Sequence, residues 1–111
     1  MRIEALCFKR EDKTEVKIYI GLRDNYSRSA EWVLEDVYYR PYRKREFRSL
    51  WRELSDDYQY RHMSYEEKGE AKRRELINFV GIDKVKEAFL AAWEQIKPNV
   101  EDLLDIQKEP V

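Results

Sequence analysis

Hydrophobic positions between Gly81 and Pro98 recur at spacings of three and four: Val85, Ala88, Phe89, Ala92, Trp93 and Ile96. On a 3.6-residue repeat these fall on one narrow stripe, which predicts an amphipathic helix with that stripe against a core. Gly81 and Asp83 offer a break and an N-cap, and Pro98, which has no backbone donor, is expected to stop the helix. A Phe and a Trp on the stripe would each contribute about 1.5–3 kcal/mol if fully buried, enough to gather the other elements around them. Leu90 lies off the stripe and is expected at the surface or against a second layer.

The pattern near the N-terminus has period two. Ile3, Ala5 and Cys7 alternate, Glu11 to Lys13 is a turn candidate, and Val16, Ile18 and Ile20 alternate again, which predicts an antiparallel hairpin ended by Gly21. The alternation places the Cys7 thiol toward the core, as an inert buried group. After a polar loop through Arg28, Ala30, Val33, Leu34, Val37 and Tyr38 follow the helical period with Ser29 as a cap. The same stretch holds the strand formers Trp32, Val37, Tyr38 and Tyr39, so a third strand over 30–39 competes with the helix.

Beyond Pro41 a second helix is expected from about Lys44, with Phe47, Leu50, Trp51, Leu54 and Tyr58 toward the core and Arg45, Arg48 and Arg52 on the opposite face. Ser64 followed by Glu67 is a capping box for a third helix to Val80, presenting Tyr65, Leu76, Phe79 and Val80 on one face and weakened by Gly69 and Lys72. Asn99 is a cap for a short last helix with Leu103, Leu104 and Ile106, and 107–111 reads as a frayed tail. The fold class these elements imply is α+β: an N-terminal hairpin, with or without a third strand, packed on three to four helices in one domain spanning 1–111.

Composition narrows the function. The chain has 22 basic and 23 acidic residues, a near balance that neither attracts nor excludes nucleic acid as a whole. The distribution is uneven: residues 40–52 carry six basic residues against one acidic, while 1–39 and 53–111 are near neutral and acidic. A single Cys and a single His, His62, give no zinc ligand set, and three isolated glycines give no phosphate-cradling loop. Asp56 and Asp57 diverge by about 100° on a helix, and Glu66, Glu67 and Glu70 suit a helix N-terminus, so no catalytic pair stands out and no cofactor is expected. The absence of a secretory or membrane-spanning apolar segment sets a cytoplasmic expectation.

The segment that carries functional information is the basic one. Arg40, Tyr42, Arg43, Lys44, Arg45, Arg48 and Arg52 form an Arg/Tyr-rich surface suited to docking a macromolecule. Tyr, Trp and Arg are the residue types of protein-binding hot spots, and an acidic protein partner would complement the charge. The same groups suit phosphate contacts to nucleic acid. The reading is a non-enzymatic interaction or regulatory protein that binds an acidic protein partner or, through a two-fold contact, a second copy of itself. Nucleic acid is the alternative ligand, and a small enzyme with a spatially assembled acidic site is the remaining one.

Overall fold

A computed structural model defines the backbone over residues 2–24 and 30–108, with side chains described for 2–22 and 31–97. Four strands form one antiparallel sheet in the order β1-β2-β3-β4: β1 Arg2–Lys9, β2 Glu15–Asp24, β3 Ala30–Arg40 and β4 Arg48–Ser49. Helices α1 Leu50–Ser55, α2 Tyr65–Val80 and α3 Ile82–Lys108 follow, with a 3-10 turn at Tyr58–Tyr60. The fold class is α+β, as the periodicities imply. Ser29 and the polar loop before it lie outside the described residues, as do positions 109–111 of the expected tail.

The core is the helix-facing side of the sheet. Val16, Ile18 and Ile20 of β2 and Leu34 and Val37 of β3 are buried against Leu76 and Val80 of α2 and Val85, Ala88 and Ala92 of α3. Burial of β-branched side chains on a pleated surface is what strands reward, and it settles residues 30–39 as β3 rather than helix. Ten residue pairs between β2 and β3 outweigh the helical spacing, because the segment gains a full backbone ladder in the middle of the sheet. The hairpin strand also runs on past Gly21, to Asp24.

Two bulges reset the alternation. In β1 the register shifts between Glu4 and Leu6, leaving Ala5 as the extra residue; Leu6 and Phe8 then join Ile3 and Ala5 in packing on the core. Cys7 is consequently turned to the open face and exposed, not buried as simple alternation implies. In β3 the shift inserts Glu35 between Leu34 and Asp36, so Leu34 points inward before it and Val37 and Tyr39 after it. Gly21 of β2 has no side chain where the Glu35 carboxylate crosses the strand to approach Arg2 at 3.8 Å.

Asp36 is buried beside its bulge and accepts hydrogen bonds from Ser49 Oγ at 2.6 Å, Val37 N at 2.7 Å and Trp51 N at 3.1 Å. Ser49 in turn caps α1 by accepting from Arg52 N at 3.1 Å. These contacts shorten the expected second helix: it starts at Leu50, not Lys44, because 41–47 is a loop and Arg48 pairs with Tyr39 in the ladder. Leu50, Trp51 and Leu54 pack on the core as expected, but Phe47 lies between Lys17 and Arg40 of the open sheet face, and Tyr58 is exposed beyond the helix end.

Ser64 caps α2 as its spacing predicts, accepting from Glu67 N at 3.2 Å. The first turn projects past the core and leaves Tyr65 exposed. Gly81, in the left-handed region at φ 88°, ends α2, and its carbonyl accepts the first bond of α3 from Val85 N, so Gly81 rather than Asp83 occupies the junction. α3 continues through Pro98, and no separate helix begins at Asn99. Pro98 removes one donor, yet the three-and-four spacing of Ala92, Ile96, Asn99, Leu103 and Ile106 is unbroken across it, which favours one continuous helix. Val85, Ala88 and Ala92 carry the packing; Trp93 is 49% exposed and is not the buried anchor, while Leu90 is exposed as expected.

Lys72, which interrupts the stripe of α2, is 6% exposed; its Nζ donates to Ser55 Oγ at 2.5 Å and lies 4.8 Å from the Trp51 ring. Burial, and secondarily Lys68, hold its pKa below the usual lysine value against the opposing pull of Asp56.

Two stability predictions follow from these buried groups. Asp36→Ala strands the Ser49 hydroxyl and the Trp51 amide together and is expected to cost about 2–4 kcal/mol, read as a fall in denaturant midpoint with little change in slope. For Lys72, a pKa lower in the folded than in the unfolded chain penalises folding at pH below the folded value, and the penalty fades as pH rises toward the unfolded one. Lys72→Met is therefore expected to raise stability near neutral pH, by a margin that narrows in alkaline titrations.

Candidate anion-binding cleft

Antiparallel pairing brings the end of β1, the start of β2 and the end of β3 to one end of the sheet. The β1–β2 turn and the 41–47 loop meet there around a cleft of about 420 Å³ lined by Lys9, Lys13, Glu15, Arg40, Pro41, Tyr42, Arg43, Lys44 and Arg45. Six cations thus face a single carboxylate.

Each wall has its own local fastening. In the turn, Lys13 N donates to Arg10 O and Arg10 N to Thr14 O, both at 2.9 Å, and Thr14 N donates to Asp12 Oδ1 at 2.9 Å. The Thr14 backbone bond holds the Asp12 carboxyl below the usual carboxylate range. Arg10 reaches back to the core, donating to Phe79 O and stacking 4.2 Å from the Phe79 ring. In the opposite wall Lys44 N donates to Pro41 O at 3.0 Å, closing a tight turn over Tyr42 and Arg43.

Lys13 and Arg43 both adopt left-handed backbone, at φ 69° and 68°. For residues with a Cβ this conformation costs roughly 1–2 kcal/mol each. They come from opposite walls onto the same ring: Lys13 Nζ is 4.7 Å and Arg43 Cζ 5.2 Å from the centroid of Tyr42, which is 51% exposed. Local strain that converges two cations on one exposed ring is the kind of feature that concentrates at binding sites.

Arg40 forms the floor. It pairs with Glu15 at 2.9 Å and lies 4.7 Å from the Phe47 ring. The Arg40 hydrogen bond is the main cause holding the Glu15 carboxyl below its usual range, with Lys9 and Lys17 adding to it. Arg40 is therefore pre-oriented, whereas Lys9, Lys13, Arg43, Lys44 and Arg45 are exposed. The cleft offers positive charge and hydrogen-bond donors, an arrangement that suits an anion.

Of the residues singled out from the sequence, Arg40, Tyr42, Arg43, Lys44 and Arg45 share the cleft. Arg48 and Arg52 do not line it, and the three-arginine helical face does not form: Arg45 is in the loop, Arg48 in β4 and Arg52 in α1. Arg48 acts on the Tyr39 hydroxyl, which donates to Glu53 at 2.6 Å and whose pKa is raised first by burial and then by Glu53. Lys9, Lys13 and Glu15 join the site from the hairpin; their signal was the strand pairing of 30–39, which carries Arg40 to Glu15. His62 is exposed in the connection before α2.

Among the described residues, no group of three His, Cys, Asp or Glu side chains is placed to hold a metal ion, and no helix is long and apolar enough to cross a membrane. Comparison with known protein families, with curated proteins and with solved structures finds no match.

Removing the one carboxylate isolates its effect. Glu15→Gln is expected to tighten binding of tripolyphosphate, used as a simple polyanion, by up to about fivefold, the scale of one exposed charge. Calorimetric titration of both proteins at equal ionic strength provides the comparison, and unchanged affinity would place the anion away from Arg40.

Proposed function

We propose that this is a non-enzymatic docking protein that receives a short acidic segment of a partner protein in the basic cleft. The observation that carries this reading is the convergence of six cations from two turns and a strand end on one cleft with one opposing carboxylate. The positive charge is local. Along the adjoining open face, Arg2 is matched by Glu35, Lys17 by Glu4 and Arg40 by Glu15, so a long phosphate backbone leaving the cleft would run over carboxylates. A short anionic stretch fits such a charge pattern better than an extended polyanion, and complementary charge sets both its orientation and its rate of encounter.

Nucleic acid is supported as a second reading by one feature, the exposed Tyr42 ring between Lys13 and Arg43, which offers a base a stacking surface beside phosphate ligands. The two readings separate in a fluorescence-anisotropy titration of the full chain with an oligo-glutamate peptide and with an oligothymidine of similar charge, repeated over a salt series. Preference for the peptide with a shallow salt dependence is expected, and the triple variant Arg43→Glu, Lys44→Glu, Arg45→Glu should weaken it by roughly tenfold or more while leaving the melting curve nearly unchanged. Tighter oligonucleotide binding with a steep log–log salt slope would replace this reading with nucleic-acid docking. No binding of either probe would remove both.

A further inference from the structure

We propose that the free edge of β1 takes up an extended acidic peptide as a fifth strand, with the acidic end of the peptide seated in the cleft. The inference rests on the docking function proposed above and names the geometry of its ligand.

The sheet has two unlike edges. β4 is two residues long and leads directly into α1, whereas β1 is eight residues long and pairs only with β2 from Arg2↔Gly21 to Lys9↔Glu15. Among the described residues, no backbone hydrogen bond reaches β1 from outside that ladder. An edge of this length presents a row of unpaired amides and carbonyls, the template used when a peptide is recognised by strand addition. The inner side of β1 is already floored by α3, where Lys84 Nζ lies 4.8 Å from the Phe8 ring, so an added strand would continue a backed sheet.

Charge selects the occupant. β1 ends at Lys9, and Lys9 and Lys13 form the near wall of the cleft. An antiparallel peptide on this edge starts beside Lys9 and finishes beside Arg2, so acidic residues at its N-terminal end enter the cleft while the following residues pair with β1. A second copy of the chain is a poorer fit. Two β1 strands overlapped fully and antiparallel set Arg2 opposite Lys9 at both ends, and like charges directly opposed across strands destabilise the pair.

The probe is a synthetic peptide of β1's length, glutamates at its N-terminal end followed by alternating valine and threonine, titrated into the full chain. Its analogue carries N-methyl groups on alternate amides, which keeps every charge and removes the edge-facing donors. The unmodified peptide is expected to slow hydrogen exchange at the edge-facing amides of β1 and to bind at least about tenfold tighter than the analogue, given several backbone hydrogen bonds of modest net value. A peptide with the glutamates at the C-terminal end should bind more weakly.

Equal affinity for the N-methylated analogue, with perturbed cleft signals but no new protection in β1, would overturn strand addition while leaving the acidic-segment reading in place. Binding of no peptide would overturn both. Protection of β1 amides that grows with protein concentration alone would assign the edge to a second copy and likewise overturn the proposal.

Discussion

The Asp36 carboxylate is the point on which the second half of the sheet and the loop beyond it depend. A buried carboxylate is tolerated only where donors surround it, and here Val37 N, Ser49 Oγ and Trp51 N supply them from three successive parts of the chain. The bond to Ser49 sets where β4 touches β3, and the bond to Trp51 sets the first turn of α1. The loop between Arg40 and Arg48 is thereby held at both ends: by the Arg40–Glu15 pair on one side and by the Asp36 cluster on the other. A stretch rich in like charge would otherwise spread into solvent. Anchored in this way, it keeps three of its cations, with Arg40, against the hairpin turn.

Net charge conceals that arrangement. With 22 cations and 23 anions the chain is almost neutral, yet the electrostatics divide by place. On the open sheet face Arg2, Lys17 and Arg40 each face a carboxylate at 2.9–3.8 Å, and the rings of Tyr19, Tyr38 and Phe47 are covered by these same three cations. Such pairs at the surface contribute little to stability but leave the face locally neutral. At the end of the sheet the residues lining the cleft are six cations and one carboxylate. An anion meets a concentration of positive charge there, which would direct low-salt attraction toward the cleft.

The sequence made α2, its Ser64 cap, the buried part of α3 and the presence of the opening hairpin legible because each rests on a local rule: a periodic stripe, a capping side chain, a run of alternation in β2. What escaped it required knowledge of partners distant in the chain. Residues 30–39 carry both helical spacing and strand-forming side chains, and only the adjacent β2 ladder decides between them. The stretch from Lys44 to Tyr58 looks like one amphipathic helix until Arg48 is claimed by Tyr39 and Ser49 by Asp36. Five of the seven basic-segment residues do come together, but the hairpin's contribution of Lys9 and Lys13 was invisible as long as 30–39 was read as helix, since a helix there would not bring Arg40 to Glu15.

The two bulges explain why the cleft has cations on its floor at all. Both sit at the level of Tyr19 on β2, one in each neighbouring strand: Ala5 is the extra residue on one side and Glu35 on the other. Without the first, the alternation that points Ile3 and Ala5 inward would also point Cys7 and Lys9 inward. Without the second, the alternation of Trp32 and Leu34 would carry Arg40 to the helix side. A one-residue slip moves every later side chain to the other face, and two slips at the same level keep β1 and β3 in phase with β2. Beyond Tyr19, Phe8, Val16 and Tyr39 therefore fill the core, while Lys9, Glu15 and Arg40 emerge together on the open side. The bulges serve the apolar core and the charged cleft at once, and neither device is visible in the residue pattern alone, because a bulge is a property of the pairing between strands.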